Sequence, residues 1–234
     1  MGLELQYIDY IADCVNTQLG DFQDRNMLEL GNQVIGKSAG RIKESTGKDY
    51  FTRLGCRHTS IDLNEEDGAL PIDLSKPIDK PEWTGHFDII TNSGTTEHVE
   101  PYETQYECFA NLHNWLKVGG IAVHIVPDID ELNRKGRWRN HCNNYYSQAF
   151  FQALADNNSY RVYAPKYIRQ LACVCLIKEK DMPFMTNREA FLEHIARRRG
   201  GTHYVGINDA GFTDTPSLYE RARAFKYRLL GRLP

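Results

Sequence analysis

No apolar run in this 234-residue chain approaches the ~20 residues that a membrane span requires, and the first twenty residues are broken by Glu4, Asp9 and Asp13. The pattern predicts neither a transmembrane helix nor a signal peptide, and hence a cytoplasmic protein. The six cysteines, at positions 14, 56, 108, 142, 173 and 175, contain no Cys-x-x-Cys pair, and the eight histidines show no zinc-site spacing. The expectation is six reduced, structural thiols and no metal. Strong charge of either sign is also missing: a formal net charge of −3 gives no whole-protein footprint for nucleic acid. No internal repeat or low-complexity segment appears, so one folded domain accounts for the centre of the chain.

What is present is an ordinary globular composition, 41% hydrophobic and 25% charged, on a chain long enough to bury one sizeable core. Apolar residues recur at helical spacing through Leu5, Ile8, Ile11, Ala12, Val15 and Leu19, which predicts a helix over residues 3–19 packed on the core. Strand-like segments follow at Met27 to Leu30, Thr59 to Leu63, Phe87 to Thr91, Gly120 to Val126, Tyr160 to Tyr163 and Leu171 to Lys178, with a helix over Gln148 to Asp156. Strands alternating with helices favour a parallel sheet covered on both faces. From Phe191 onward eight Lys or Arg stand against four Asp or Glu, so the tail is net +4 and the remainder −7. A basic amphipathic helix is expected over Pro216 to Leu230. It can pack on its own domain, touch an anionic membrane surface, or attract an anionic acceptor.

The most informative stretch is Phe87-Asp-Ile-Ile-Thr-Asn-Ser-Gly-Thr-Thr-Glu-His-Val99, followed by Leu116-Lys-Val-Gly-Gly-Ile-Ala-Val-His-Ile-Val-Pro127. An apolar strand enters a polar turn, a helix carries the chain to a Gly-Gly turn, and a second apolar strand follows. This block resembles the fourth and fifth strands of the class I S-adenosylmethionine (SAM) dependent methyltransferases. The resemblance covers roughly residues 25 to 180. It implies an α/β fold with a doubly wound, mostly parallel seven-stranded Rossmann-like sheet, helices on both faces, and a last strand inserted antiparallel. The domain is expected over residues 1–180, with residues 181–234 as a basic helical C-terminal extension.

In that family the acid of Glu29-Leu-Gly31 helps to hold the methionine end of SAM, and Gly31 lies beneath it. The family's Gly-x-Gly-x-Gly becomes Gly31-Asn-Gln33 here, so either the loop path differs or the cofactor sits farther from the backbone. Asp62, at the end of the second strand, can accept hydrogen bonds from both ribose hydroxyls. It lies 33 residues after Glu29, against roughly 20 in a compact unit, an excess expected to extend the first helix and its loop. Asp73 resembles the family's adenine-amino acceptor, with Leu74 packing near the base and Leu63 in the same cofactor set. Either acid also suits a turn or cap. Asn92 and Ser93 would turn their backbone toward the methionine part of SAM.

Glu97 and His98 follow, and His98 is a candidate base near the methyl group. The segment Trp138 to Tyr146 falls where the family often builds its acceptor pocket, which makes His141 a second catalytic candidate and Glu97, Tyr145 and Tyr146 substrate-binding candidates. Asp128-Ile-Asp-Glu131 could suggest a divalent cation beside an oxygen nucleophile, but it reads as solvated turn residues, because no further ligand spacing supports a metal. The function implied is methyl transfer from SAM to a small polar acceptor, including the saccharide class. The competing expectations are an NAD-dependent oxidoreductase, which Gln33 disfavours, and a noncatalytic binding module.

Overall fold

The computed structural model describes residues 2–36, 40, 42–129, 141–199 and 203–205, the last strands by backbone only. Helix α1 (Leu5–Leu19) leads into β1 (Asn26–Leu30), α2 (Gly47–Arg53) and β2 (Arg57–Ile61). Then come β3 (Phe87–Ser93), α3 (Gln105–Trp115), β4 (Leu116–Pro127), β5 (Asn144–Tyr145), α4 (Gln148–Asn158), β6 (Tyr160–Ile168) and β7 (Leu171–Lys178), with α5 (Arg188–Glu193), β8 (Ala196–Arg199) and β9 (His203–Val205) last. Six strands form the main sheet in the order β2-β1-β3-β4-β7-β6, and β5, β8 and β9 form a second small sheet. The pairs from β2 to β4 are parallel, whereas β7 lies antiparallel between β4 and β6.

Every residue of β3 and β7 is buried, as expected for central strands covered on both faces. Alternation along β7 shows what covers them. Ala172, Val174 and Leu176 join one apolar cluster with Phe109, Leu112, Phe150 and Phe151, and Leu171, Cys173, Cys175 and Ile177 join a second with Tyr7, Ile11, Val15 and Phe51. The sheet therefore separates a layer containing α3 and α4 from one containing α1 and α2. The expected stripe on α1 is largely this second contact, widened by Tyr7, Tyr10 and Cys14. All six cysteines are buried free thiols, and no helix among the described residues is long and apolar enough to cross a membrane.

Five expectations need correction. The sheet has six strands among the described residues, not seven, because the segment after β2 reduces to a single parallel bridge between Ile61 and Leu70. Positive φ at Glu65, Asp67 and Gly68 turns the chain away from extended geometry, and Pro71 has no N–H for a ladder. The insertion after β1 does not lengthen the first helix: α2 has seven residues and starts only at Gly47. Residues beyond Gly31 instead run extended, bridging Leu3 to Ile35 and Val34 to Thr46. Strand β6 continues past Tyr163 through a register shift at Ala164, with Pro165 tolerated on the edge strand. Asp128 is fully buried rather than solvated; Asp130 and Glu131 lie outside the described residues. So do Trp138 to Asn140 and the basic helix expected over 216–230. The described part of the tail is not purely helical, since β8 and β9 follow α5, and Phe184, Phe191 and Ile195 belong to the first core cluster.

Within β4, His124 stacks on Phe109 with centroids 5.8 Å apart, and its Nδ1 lies 3.1 Å from Asn92 Nδ2. Burial disfavours the imidazolium and pushes its pKa down to about 3. The folded protein keeps His124 neutral while the unfolded chain protonates below about pH 6.5, so the unfolded state binds more protons and stability falls with pH by up to ~1.4 kcal/mol per unit between about 6.5 and 3. Urea denaturation at several pH values should show a shallower acid loss for His124→Gln than for the wild type. Identical slopes would contradict the assignment.

Candidate active site

The carboxyl ends of β1, β2 and β3 emerge along one edge of the sheet, where open α/β folds collect ligands. A cavity of about 520 Å³ opens there, within the usual range for small-molecule sites. Gly31, Asp62, Leu63, Asp73, Leu74 and His98 line it, together with Gln33, Val34, Thr95 and Glu100. Two large apolar side chains on this lining stay in solvent, Leu63 at 69% and Val34 at 55% relative exposure. Apolar groups left open at the rim of a concave site suit a flat partner such as a nucleobase.

Gly31 has φ +75°, and a Cβ there would come within 2.6 Å of Thr95 Oγ1 and 2.8 Å of Gln33 Nε2. Only glycine lets this turn sit so close to both neighbours. Gln33 is folded beneath the loop, its Nε2 directed to the Leu30 carbonyl at 3.4 Å. Gln33, which stands where the family's second glycine would, thus packs against the Gly31 turn and the end of β1. The Asp62 carboxylate braces this loop by accepting from Asn32 N at 2.9 Å and from Asn64 N at 3.2 Å. Asp73 accepts from Ser75 N and Oγ at 3.0 and 2.6 Å and pairs with Lys76 at 2.8 Å. The Lys76 contact and the Ser75 hydroxyl hold its pKa down to about 2. Asp73 thus borders the cavity while organising its own turn.

Glu29 does not line the cavity. Strand alternation sends it to the α2 side, where Oε2 lies 3.6 Å from His58 Nε2 and accepts weakly from Gln33 N, and where a Cβ on Gly47 would collide with it. Burial raises its pKa, opposed by His58. Asn92 and Ser93 are also buried outside the lining. Asn92 instead organises the turn that follows β3. Its Oδ1 accepts from Thr95 N and Thr96 N at 3.3 and 3.2 Å, and its Nδ2 donates to Thr96 Oγ1 at 2.8 Å. Thr95 Oγ1 in turn donates to the Leu30 carbonyl at 2.7 Å, tying the turn after β3 to the end of β1.

Two further amides grip the same turn. Gln105 Nε2 donates to Thr96 O and Val99 O, both at 2.8 Å, and Asn144 Nδ2 donates to Glu97 O at 3.2 Å and Val99 O at 2.9 Å. Tyr146 donates to Gln105 Oε1 at 2.6 Å. Tyr145 and Tyr146 are fully buried and do not reach the cavity, so neither offers its hydroxyl to a ligand there. Glu97 is buried without a hydrogen-bond partner for either carboxylate oxygen among the described residues, and burial pushes its pKa up to about 7. His98 reaches the cavity, with partial burial lowering its pKa, and its ring meets that of exposed His141 at 5.0 Å.

No family model matches the chain, and no curated protein matches it in sequence. Solved structures match it in shape. The PH0226 protein from Pyrococcus horikoshii OT3 aligns with TM-score 0.50 and 12% identity over 74% of this chain and 90% of its own. A S-adenosylmethionine dependent methyltransferase from Mesorhizobium loti aligns with TM-score 0.50 and 12% identity over 73% of this chain and 96% of its own. This is the class I methyltransferase fold. At such identity the likeness is one of fold alone. The antiparallel insertion of β7 beside β4 is the feature that the sequence resemblance implied.

The amide grip generates a test. Asn92→Ala removes the acceptor of one buried and one part-buried backbone N–H group, and an unsatisfied buried polar group costs about 1–3 kcal/mol. Chemical denaturation should show a loss of that size; a variant as stable as the wild type would show that the turn does not depend on Asn92.

Proposed function

We propose that this chain is a SAM-dependent methyltransferase acting on a small polar acceptor, with a saccharide as one class that fits. The observation that carries this reading is the convergence of Gly31, Asp62, Leu63, Asp73 and Leu74 on one cavity at the carboxyl edge of a methyltransferase-type sheet. Asp62 would take the ribose hydroxyls through the acceptor capacity that its two backbone contacts leave, and Val34, Leu63 and Leu74 would cover the adenine faces. Asp73 borders the position assigned to the adenine amino group. The Gly31 turn admits the ligand close to backbone, as a side chain there would not. Glu29, Asn92 and Ser93 would support the methionine end by holding the loop and turn around it rather than by direct contact.

SAM, when bound, brings the methyl group already activated as a sulfonium. What the protein itself must supply is then alignment, the source of much of the acceleration in such transfers. His98 lines the same cavity as Asp62 and His141 stands beside His98; both would serve the acceptor side. Tyr146 contributes indirectly, through Gln105 and the turn that carries His98. A base is needed only where the acceptor arrives protonated.

Calorimetric titration tests the reading without knowledge of the acceptor. SAM and S-adenosylhomocysteine should bind and NAD should not, and Asp62→Ala should weaken SAM binding by about 1–3 kcal/mol, roughly ten- to a hundredfold, in a protein that still folds. NAD binding without SAM binding would reverse the assignment. Unchanged SAM affinity in Asp62→Ala would remove this residue from the ribose site.

A further inference from the structure

Glu97, His98 and His141 place one carboxylate oxygen and two imidazole nitrogens within 4.8 Å of one another. Glu97 is fully buried, and among the described residues neither of its oxygens meets a hydrogen-bond donor. A carboxylate removed from water without donors is among the costlier arrangements a fold can hold, and such groups are normally found paired or coordinating a metal. Among the described residues His98 is a chargeable side chain beside it, and its Nε2 lies 3.9 Å from Glu97 Oε1, beyond hydrogen-bond reach. The three groups thus face a common space without closing on one another.

We propose that Glu97, His98 and His141 bind a first-row divalent ion such as Zn²⁺ or Mn²⁺ at the edge of the cavity. Two imidazoles with one carboxylate suit these ions, whereas Ca²⁺ and Mg²⁺ favour all-oxygen sets. Bonds of roughly 2.1 Å bring ligand atoms to about 3–3.5 Å apart, so the two rings must move inward. Their exposure permits this: the His98 side chain is about half in solvent, and His141 is exposed. The buried carboxylate is the fixed member, held by the turn that Asn92, Gln105 and Asn144 lock. Three protein ligands leave at least one coordination position open, as in catalytic rather than structural sites.

Because His98 also lines the cavity, that open position borders the acceptor side. A hydroxyl coordinated there would lose its proton more readily, since a bound cation lowers the pKa of its ligands. This consequence rests on the methyl-transfer reading; the metal site itself does not. It also gives the two histidines a role other than proton acceptor, because a coordinated imidazole nitrogen has no free lone pair. The proposal replaces the sequence-based expectation of no metal, which considered spacing along the chain: Glu97 and His141 are far apart in sequence and meet only in the fold.

The test uses the metal alone. Protein stripped with chelator and desalted is titrated with Zn²⁺ in the calorimeter and, separately, with Co²⁺ followed by visible absorption. One equivalent should bind, with d–d bands of a low-symmetry site. His98→Ala and His141→Ala, which alter exposed rings, should each weaken binding by roughly tenfold or more. Glu97→Gln keeps the side-chain shape and should do the same. Absence of stoichiometric binding to the wild type would overturn the proposal, and so would equal affinity in the two histidine variants. No SAM is present in these titrations, so metal binding without SAM binding would leave this site standing and remove the cofactor reading, and the converse result would do the opposite.

Discussion

The candidate site hangs on the hydrogen bonding of one turn, Thr95 to Val99, that joins β3 to the rest of the domain. Three buried side-chain amides, on Asn92, Gln105 and Asn144, serve its backbone from three directions. Each serves buried or part-buried backbone groups, so losing one removes partners from a turn with little access to water. These bonds hold the backbone of the turn that carries both the buried carboxylate of Glu97 and the cavity-lining His98. Tyr146 belongs to the same network through Gln105. This explains how an aromatic residue with no access to the cavity can still matter to it.

Around that turn the parallel sheet does the gross positioning. Parallel pairing of β2, β1, β3 and β4 brings successive carboxyl ends to one edge, so Asp62, Gly31 and the β3 turn meet although 65 residues separate Leu30 from Thr95. The Thr95 hydroxyl on the Leu30 carbonyl stitches two of those ends together, and the absent side chain at Gly31 is what allows the approach. The loop that follows does not enter a helix at once. It runs alongside the N-terminal segment through Leu3 and Ile35, which leaves Val34 at the cavity rim.

The framework was legible in the sequence where side-chain pattern and burial coincide. Phe87 to Thr91 and Leu171 to Lys178 are apolar runs, and both are fully buried strands; the α1 stripe is a core contact. The seventh strand that the resemblance implies is reduced to one bridge between Ile61 and Leu70, where Pro71 and the turn before it break extended geometry. At the site, Asp62, Leu63, Asp73, Leu74, Gly31 and His98 line one cavity. The inward or outward sense of a residue at a strand end was harder to read. Glu29 alternates away to the α2 face, and Tyr145 and Tyr146 are drawn into the core by their apolar rings. Asn144, Gln105 and the partnership of Glu97 with His141 carry no spacing signal, since each depends on contacts between distant segments.

The central claim is that the cavity edge formed by β1, β2 and β3 holds an adenosyl cofactor, with its ribose on Asp62. A crystal structure of the protein soaked with S-adenosylhomocysteine tests this most directly. The account predicts both ribose hydroxyls within hydrogen-bond distance of the Asp62 carboxylate and the adenine between Val34, Leu63 and Leu74. Density for the ligand outside this cavity, or within it with the ribose away from Asp62, would contradict the claim.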